Sequence, residues 1–439
     1  MSWTQQGAWW SRPLDCHDAM FKSIAAAGKP LGREHWLMAG VIKVTFPSDT
    51  ANKEQRLRST WAALRLLHPD VAILLRDSEK CYQPVTSPEI LDAWAASTFH
   101  VETAAKSADE LFSHHLKLTS DTASCHWIVT SNELAIVSSH WRWDGRGLLM
   151  MLHEFLSLLA APYQLGTEAA NLVPSIDTVM NMPSPLLPEW STSANALLAP
   201  FMEGPSSIGL PVTTGLLPGD TLRTETVIPS DVTSALRAAC RARGIRLTAA
   251  LHASIITEVA RHRTGDAVHY KSWAAFDLRK YCPAPFQGPA HAPSLRMVAL
   301  PLVVDATADW DSLAKRIQPV YEQSFAPEDG DLMFVRVPYV ELATSMLATS
   351  SPTTEPNLSN LGALDDYVHT QYGDVTVENV WLGVHMLSPQ LYVHAWSWKG
   401  SLHISICYNE SFYQTTFVEQ WLEKLKTTLI MNLGVRLAS

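Results

Sequence analysis

The chain has 439 residues, of which 47% are hydrophobic and 17% are charged, so it is long enough for two domains and too apolar to be disordered. A net charge of −10 argues against the basic surface that binding to a nucleic-acid backbone requires. Its apolar runs are shorter than the roughly 18–20 residues of a membrane span.

The elements predicted in the N-terminal part alternate between helix and strand, without an internal repeat. They are, in chain order, a helix over 54–67, a strand over 100–103, a helix over 108–116, a hairpin with strands over 125–130 and 134–138, and an apolar helix over 147–161. Pro162 is the expected stop of the last helix, since proline ends a helix that it follows. This order predicts a mixed lobe over residues 1–185.

A proline-rich stretch over 183–217 predicts a loop-like crossover, which we assign to a linker over 186–220. The elements predicted beyond it are strands over 224–228, 268–276 and 297–304, helices over 230–243, 248–263 and 309–325, three antiparallel strands over 375–386, 391–398 and 402–408, and a helix over 415–433. Lys399-Gly400 is the expected tight turn between the last two strands. These elements predict a second lobe over 221–439.

The segment with the clearest chemical meaning is His140-Trp141-Arg142-Trp143-Asp144-Gly145, which lies between an apolar strand and an apolar helix. An imidazole has an unperturbed pKa of about 6.5, so it can take a proton from a hydroxyl group and return it. Asp144 can orient that imidazole or brace the loop, and Gly145 permits a tight turn. We therefore interpret His140 as a candidate general base.

This His-x-x-x-Asp-Gly segment resembles the signature of the CoA-dependent acyltransferase superfamily. The group includes chloramphenicol acetyltransferase, the plant BAHD enzymes, fungal trichothecene-type O-acetyltransferases and the condensation domains of peptide synthetases. Three further segments are similar to motifs of that group: His68-Pro69 after an early helix, Asp277-Leu278-Arg279, and Ser359-Asn360-Leu361-Gly362. Ser139 stands where condensation domains usually carry a second histidine, which favours the O-acyltransferase branch. The BAHD "DFGWG" motif is absent.

The resemblance implies an α/β (α+β) fold with two chloramphenicol-acetyltransferase-like lobes, each a mixed β-sheet flanked by helices, with a tunnel between them. It implies that His140 is the general base. Asp144 would then be structural and pair with Arg279, because a buried carboxylate needs a partner. Gly145 completes the motif.

Five residues are predicted to contact substrate: Trp141, Trp143, Ser359, Asn360 and Trp396. The middle residues of the family motif are often small. Two indoles beside the base would narrow the tunnel or stack on an apolar substrate. For Trp396, which shares a strand face with Trp398, core packing is the alternative.

Other candidate sites carry less weight. His114-His115 is expected on a solvated helix face, and His153-Glu154 lacks the second histidine of a zinc-protease helix, so no metal site is predicted. Cys125-His126 is discounted as a nucleophile–base pair because strand neighbours point to opposite faces. The six cysteines lie far apart and predict reduced thiols.

The leading hypothesis is an acyltransferase that moves an acyl group, most simply acetyl, from CoA to a hydroxyl group of a hydrophobic secondary metabolite. Acetyl-CoA would be a co-substrate, with no bound cofactor. The alternatives are a pericyclase-type cyclase of the same fold, a condensation-like enzyme that uses a carrier-protein thioester, and a binding module without turnover. With no signal peptide, membrane span or basic surface evident, we expect a cytoplasmic monomer that binds no nucleic acid.

Overall fold

A computed structural model describes residues 2–116, 122–160, 168–263 and 265–436. The predicted helix end at residue 161 and the stop at Pro162 lie outside the described residues. The chain forms two compact units. Unit 1 comprises Met1–Ser184, Asp277–Met297 and Leu364–His385, and unit 2 comprises Pro185–Phe276, Val298–Ala363 and Met386–Ser439.

The strands of the described residues are numbered in chain order. They are β1 (Thr4–Gln6), β2 (Trp9–Pro13), β3 (Met38–Thr45), β4 (Leu74–Arg76), β5 (Glu79–Tyr82), β6 (Phe99–Glu102), β7 (Ser124–Ile128), β8 (Glu133–Ser138), β9 (Thr221–Ile228), β10 (His269–Asp277), β11 (Met297–Asp305), β12 (Asn357–Ala363), β13 (Gln371–Tyr372), β14 (Val375–Val384), β15 (Tyr392–Trp398) and β16 (Ser401–Asn409).

The α-helices are numbered in the same way. They are α1 (Cys16–Ala26), α2 (Lys53–Leu67), α3 (Pro88–Thr98), α4 (Ala108–Glu110), α5 (Gly145–Ala160), α6 (Ile176–Val179), α7 (Pro188–Met202), α8 (Ser230–Ala242), α9 (Leu247–Ala260), α10 (Trp310–Tyr321), α11 (Leu332–Thr349) and α12 (Thr415–Asn432). None of these helices is both long and apolar enough to cross a lipid bilayer.

The main sheet of unit 1 has six strands in the order β13-β14-β3-β8-β7-β6. Only the β6–β7 pair is parallel, so the sheet is mixed. β8 lies in the interior of the sheet, and all of its residues are buried, as expected for a strand covered on both faces. Helix α5, which follows β8 after a short loop, packs against β3 and α2. A central strand therefore carries the His140 loop.

The main sheet of unit 2 has four strands in the order β12-β15-β16-β9, in which only β12 and β15 are parallel. Its core also includes apolar residues of α8, α9, α10 and α12. Lys399 and Gly400, at the turn between β15 and β16, have φ angles of 48° and 80°. These are the left-handed values that a two-residue hairpin turn requires.

The prediction of a loop-like stretch over 183–217 is wrong over 188–202, where helix α7 forms. Pro188 stands at the start of α7, where a missing N–H group costs nothing, and Pro200 lies in the last turn. Between them Trp190, Ala194 and Leu198 are buried at a spacing of four residues. The segment is therefore an amphipathic helix, which its proline content did not predict.

The prediction of three consecutive antiparallel strands over 375–408 is also wrong. β14 pairs with β3 in unit 1, from Val384 opposite Met38 to Thr376 opposite Thr45, and only β15 and β16 form a local pair. Unit 1 therefore takes two segments from the region that the sequence suggested as one lobe over 221–439. The pairing joins strands more than 300 residues apart, so no local pattern encodes it.

Candidate active site

The His140 loop connects β8 to α5 and is fixed at its C-terminal end by Asp144. The backbone carbonyl of Asp144 accepts the first helical hydrogen bond from Leu148, at 2.9 Å. Its side-chain Oδ1 accepts a hydrogen bond of 2.8 Å from the backbone N–H of Gly147. Asp144 therefore caps the N-terminus of α5, where a carboxylate also interacts favourably with the helix dipole.

Asp144 also forms a buried ion pair with Arg279, and the structure thus brings these two predicted site residues together. Arg279 Nη1 donates to Asp144 Oδ2 at 2.9 Å, and each residue is only 4% exposed. The backbone N–H of Arg296 donates to the same carboxylate oxygen at 2.8 Å. Burial acts to raise the pKa of Asp144, but the Arg279 charge and these hydrogen bonds outweigh it and lower the pKa.

Asp277 extends the ion pair into a network within unit 1. Its carboxylate accepts hydrogen bonds of 3.0 Å from Arg279 and 3.1 Å from Arg146. Arg146 also donates to the hydroxyl group of Tyr367 at 2.9 Å. Despite burial, the charges of Asp144 and Asp277 raise the pKa of Arg279. The loop that carries His140 is thus held by a network of charged groups.

Gly147 leaves no room for a side chain beside this ion pair. A Cβ atom at this position would lie 2.5 Å from the carbonyl oxygen of Ala292 and 3.1 Å from Nη2 of Arg279. Gly145 of the sequence motif is the first residue of α5. The close approach to a neighbouring backbone therefore occurs at Gly147, two residues after the glycine of the motif.

Gly147→Ala is expected to destabilise the protein by about 1–3 kcal/mol, because overpacking a rigid backbone contact forces a local shift. Chemical denaturation followed by circular dichroism measures the change. Gly288→Ala is the matched control in unit 1, since its nearest such contact is 4.0 Å away. Equal stabilities of the two variants would contradict the close packing at Gly147.

The imidazole of His140 lies between aromatic side chains in unit 1. The ring of Phe21, from α1, is stacked on it with a centroid separation of 4.0 Å and an interplanar angle of 4°. The indole of Trp36 lies 5.9 Å away at 41°. His140 is 7% exposed, and its Nδ1 atom is fully enclosed. Burial lowers the pKa of His140 to about 4, although its own backbone carbonyl and the charge of Asp144 act to raise it.

Ser139 lies directly before His140 and is held by a buried acid. Its hydroxyl group donates a hydrogen bond of 2.8 Å to Oε2 of Glu34, which is 6% exposed. The position that carries a second histidine in condensation domains is thus occupied here by a serine bonded to a carboxylate.

Trp141 and Trp143, which we predicted to contact substrate, are packed into the interior. Trp141 is 6% exposed, with the Arg142 guanidinium 4.3 Å and the Lys80 ammonium 5.4 Å from its ring. Trp143 is 0% exposed. Arg142 donates hydrogen bonds of 2.9 and 2.8 Å to the carbonyl oxygens of Asp70 and Ile73. These middle residues of the motif hold the loop against the body of unit 1.

Ser359, Asn360 and Trp396 all lie in unit 2. The Asn360 side chain donates a hydrogen bond of 2.6 Å to the Thr248 hydroxyl and accepts one of 3.0 Å from Gly362 N–H. Trp396 is 1% exposed and is stacked on His403 at 5.2 Å. Ser359 is half-buried on β12. Substrate contact by these three residues stays a prediction.

A row of three hydrogen-bonded polar side chains, separate from the His140 loop, lies on one face of β6 and β7 and forms a polar relay. His126 Nε2 is 2.9 Å from the Ser124 hydroxyl, and His126 Nδ1 is 2.8 Å from Oε1 of Glu102. Ser124 is 5% exposed, whereas Glu102 is the more open end of the relay. We assign it a structural role, since it ties the edge strand β6 to its neighbour.

No group of histidine, cysteine or acidic side chains in the described ranges has the arrangement of a metal site. The two adjacent histidines His114 and His115 are exposed, in a π-helical turn that follows α4. Cys125 is fully buried, and burial raises the pKa of its thiol well above the ordinary value.

Four residues around the motif belong to no sequence pattern that would mark them as site residues: Phe21, Glu34, Trp36 and Gly147. The first three reach the His140 loop from about 105 to 120 residues earlier in the chain. Gly147 is one of two glycines at the start of α5, and the sequence alone does not separate their roles. The positive φ angle of Trp36, 62°, has no local sequence signature either.

Two mixed sheets flanked by helices define the fold class of the chloramphenicol-acetyltransferase-like acyltransferases and condensation domains. This confirms the mixed sheets flanked by helices that the motif resemblance implied. No family model matches the chain. The solved structure of trichothecene 15-O-acetyltransferase TRI3 from Fusarium sporotrichioides superposes with a TM-score of 0.83, at 16% identity, over 99% of this chain and 97% of that chain.

Curated relatives extend over nearly the whole chain. It is 28% identical to acetyltransferase pigO of Monascus ruber over 450 residues, which cover 97% of this chain and 96% of the relative. It is 26% identical to O-acetyltransferase pigM of the same fungus over 455 residues, which cover 100% of this chain and 88% of the relative. These similarities and the shared fold support an O-acyltransferase, which confirms the predicted enzyme class.

Proposed function

We propose that the protein transfers an acetyl group from acetyl-CoA to a hydroxyl group of a hydrophobic secondary metabolite, with His140 as the general base. The observation that carries the proposal is the buried imidazole of His140 at the end of a central strand, on a loop braced by the Asp144–Arg279 ion pair. The relatives pigO and pigM are named as acetyltransferases, which supports acetyl as the group that is transferred.

In the proposed reaction, Nε2 of His140 accepts the proton of the acceptor hydroxyl, because Nδ1 is enclosed. The hydroxyl oxygen attacks the thioester carbonyl carbon, and a tetrahedral intermediate forms. When it collapses, the carbon–sulfur bond breaks and the CoA thiolate takes the proton from His140. The ester and free CoA are the products, and the enzyme needs no covalent intermediate.

The packing of the two indoles in the motif bears on the cyclase alternative. That alternative drew its support from bulky side chains beside the base. Trp141 and Trp143 are 6% and 0% exposed, and Trp141 packs on Lys80 and Arg142. Their bulk therefore favours a braced loop rather than a pocket shaped for cyclisation.

Incubation with acetyl-CoA and pooled polyketide and terpenoid alcohols, with product masses and free thiol followed together, tests the proposal. We expect acetylated product and thiol in equal amounts. An isomerised product without thiol release would instead indicate a cyclase. Transfer from a carrier-protein thioester alone would indicate a condensation-like enzyme. Binding without turnover that survives His140→Ala would indicate a binding module.

The lowered pKa of His140 predicts an unusual pH profile. An imidazole with a pKa of about 4 stays neutral, and so able to accept a proton, across the range in which an ordinary histidine becomes charged. We expect kcat/KM to be flat from about pH 8 to 5 and to fall only toward about pH 4. Initial rates in constant-ionic-strength buffers, with folding checked at each pH, measure this. An inflection at about pH 6.5 would contradict the buried, neutral base.

A further inference from the structure

Trp36 has an unusual backbone conformation for a large aromatic residue. Its φ angle is 62°, in the left-handed region. In the described part of the chain, the other non-glycine residues with positive φ are Asn52, Asp77, Asn132, Asn181 and Lys399. Asparagine and aspartate tolerate this region, whereas a bulky side chain there is an outlier that costs free energy. Such strain is retained where the surroundings impose it, and it is frequent at functional sites.

The end of the unit 1 sheet imposes this conformation. The N–H group of Trp36 donates a hydrogen bond of 2.8 Å to the carbonyl oxygen of His385, and His385 N–H donates to Leu37 at 2.9 Å. The next residues, Met38 and Val384, are the first pair of the β3–β14 ladder. The strained residue is therefore anchored by the sheet rather than by a mobile loop.

The strain places the indole of Trp36 beside the candidate base. Its ring lies 5.9 Å from the His140 imidazole and 6.0 Å from the ring of Phe21. Phe21 is 1% exposed, so its stacked ring serves to hold the imidazole. Trp36 is only partly buried, unlike Trp141 and Trp143 of the motif. Of the two residues whose rings lie beside His140, Phe21 and Trp36, it is the partly exposed one.

We propose that Trp36 is a specificity-determining residue, whose indole binds a planar aromatic or conjugated acceptor alcohol next to His140. This inference rests on the proposed function, because it assigns the acceptor class of the same site. Aromatic rings prefer offset-stacked or edge-to-face contacts with a second ring, and a saturated ring of the same size lacks that interaction. The buried indoles of the motif, Trp141 and Trp143, cannot provide such a contact.

Binding of 2-naphthalenemethanol and of its saturated analogue, decahydro-2-naphthalenemethanol, to the full chain by calorimetry tests this inference. We expect the wild type to bind the aromatic alcohol roughly 2- to 10-fold more tightly, the range that one aromatic contact supplies. Trp36→Leu should abolish that preference. Trp36→Phe, which keeps an aromatic face, should retain part of it and covers the case in which the leucine variant fails to fold.

Trp94→Leu is the matched control, because Trp94 is also a partly buried tryptophan of unit 1 but is stacked on Trp61 and packs against Arg65. It should keep the wild-type preference. A wild type without aromatic preference, or a preference that survives Trp36→Leu, would overturn the inference. Binding is measured without acetyl-CoA, so this result does not depend on turnover. The proposed function is tested separately, by the turnover of His140→Ala.

Discussion

Asp144→Ala is expected to lower the free energy of unfolding by about 3–5 kcal/mol, the cost of removing one partner of a buried ion pair. The variant leaves the guanidinium of Arg279, 4% exposed, without its most buried counter-ion. It also removes the acceptor for the N–H groups of Gly147 and Arg296. Urea denaturation followed by circular dichroism measures the loss.

A further variant separates the charge of Asp144 from its other contacts. Asp144→Asn should show an intermediate loss, because Oδ1 can still accept from Gly147 while the charge is gone. Asp374→Ala is the matched control in unit 1. Asp374 forms a two-contact pair with Arg56 at 2.7 and 3.0 Å, but the two side chains are 45% and 29% exposed. An exposed pair is worth about 0–1 kcal/mol. Similar losses for the two alanine variants would contradict a buried brace.

The pH dependence of this loss follows from the pKa of Asp144, which is lowered in the folded state. A carboxylate with a lowered folded pKa contributes its stability above the unfolded value, and that contribution is lost as the pH falls through the folded pKa. The difference between wild type and Asp144→Ala should therefore be constant above the ordinary value of 3.8 and shrink only below it. A difference that shrinks between about pH 7 and 5 would indicate that another group is responsible.

His140→Ala is expected to reduce turnover by roughly 10²–10⁴ while the fold stays intact. The imidazole is stacked on Phe21 and lies beside the tilted ring of Trp36 rather than in a structural ion pair, so its removal leaves a small cavity and not an unpaired charge. The loss should appear in kcat more than in KM, because proton removal contributes to the transition state and little to ground-state binding.

Much of the fold was predictable because its elements carry local patterns. The helix predicted over 54–67 is α2, the hairpin is the antiparallel β7–β8 pair, and the helix predicted over 415–433 is α12. Among the described helices, α1, α3, α6, α7 and α11 were not predicted. The last two contain an internal proline, which breaks the expected pattern. Pro200 lies in α7, and Pro338 lies within α11, whose apolar residues follow no amphipathic period.

Long-range pairing was not predictable from the same patterns. β14 reads as a strand in the sequence, but its partner β3 is fixed only by the packing of the whole sheet. For the same reason a two-lobe division drawn along the chain misses the segments Asp277–Met297 and Leu364–His385 that belong to unit 1. The unit that holds His140 is therefore completed by residues from the far end of the sequence.

At the candidate site, the motif identified the loop but not its surroundings. Asp144 and Arg279 meet as the family resemblance implied, because a buried carboxylate requires a cationic partner. Trp141 and Trp143 are packed into the interior of unit 1, and their contact with substrate stays a prediction. Trp36, the indole that contacts His140, lies in an irregular segment whose left-handed conformation only the structure shows.

The measurement that tests the central claim most directly is the turnover of His140→Ala with acetyl-CoA and the acceptor that the wild type acetylates, followed by thiol release. His153→Ala is the control, a histidine of α5 that bonds to the Tyr372 hydroxyl at 2.7 Å. The account predicts turnover reduced by roughly 10²–10⁴ in His140→Ala, with an unchanged melting profile and near-normal activity in the control. A His140→Ala protein that acetylates the acceptor at close to the wild-type rate would contradict it.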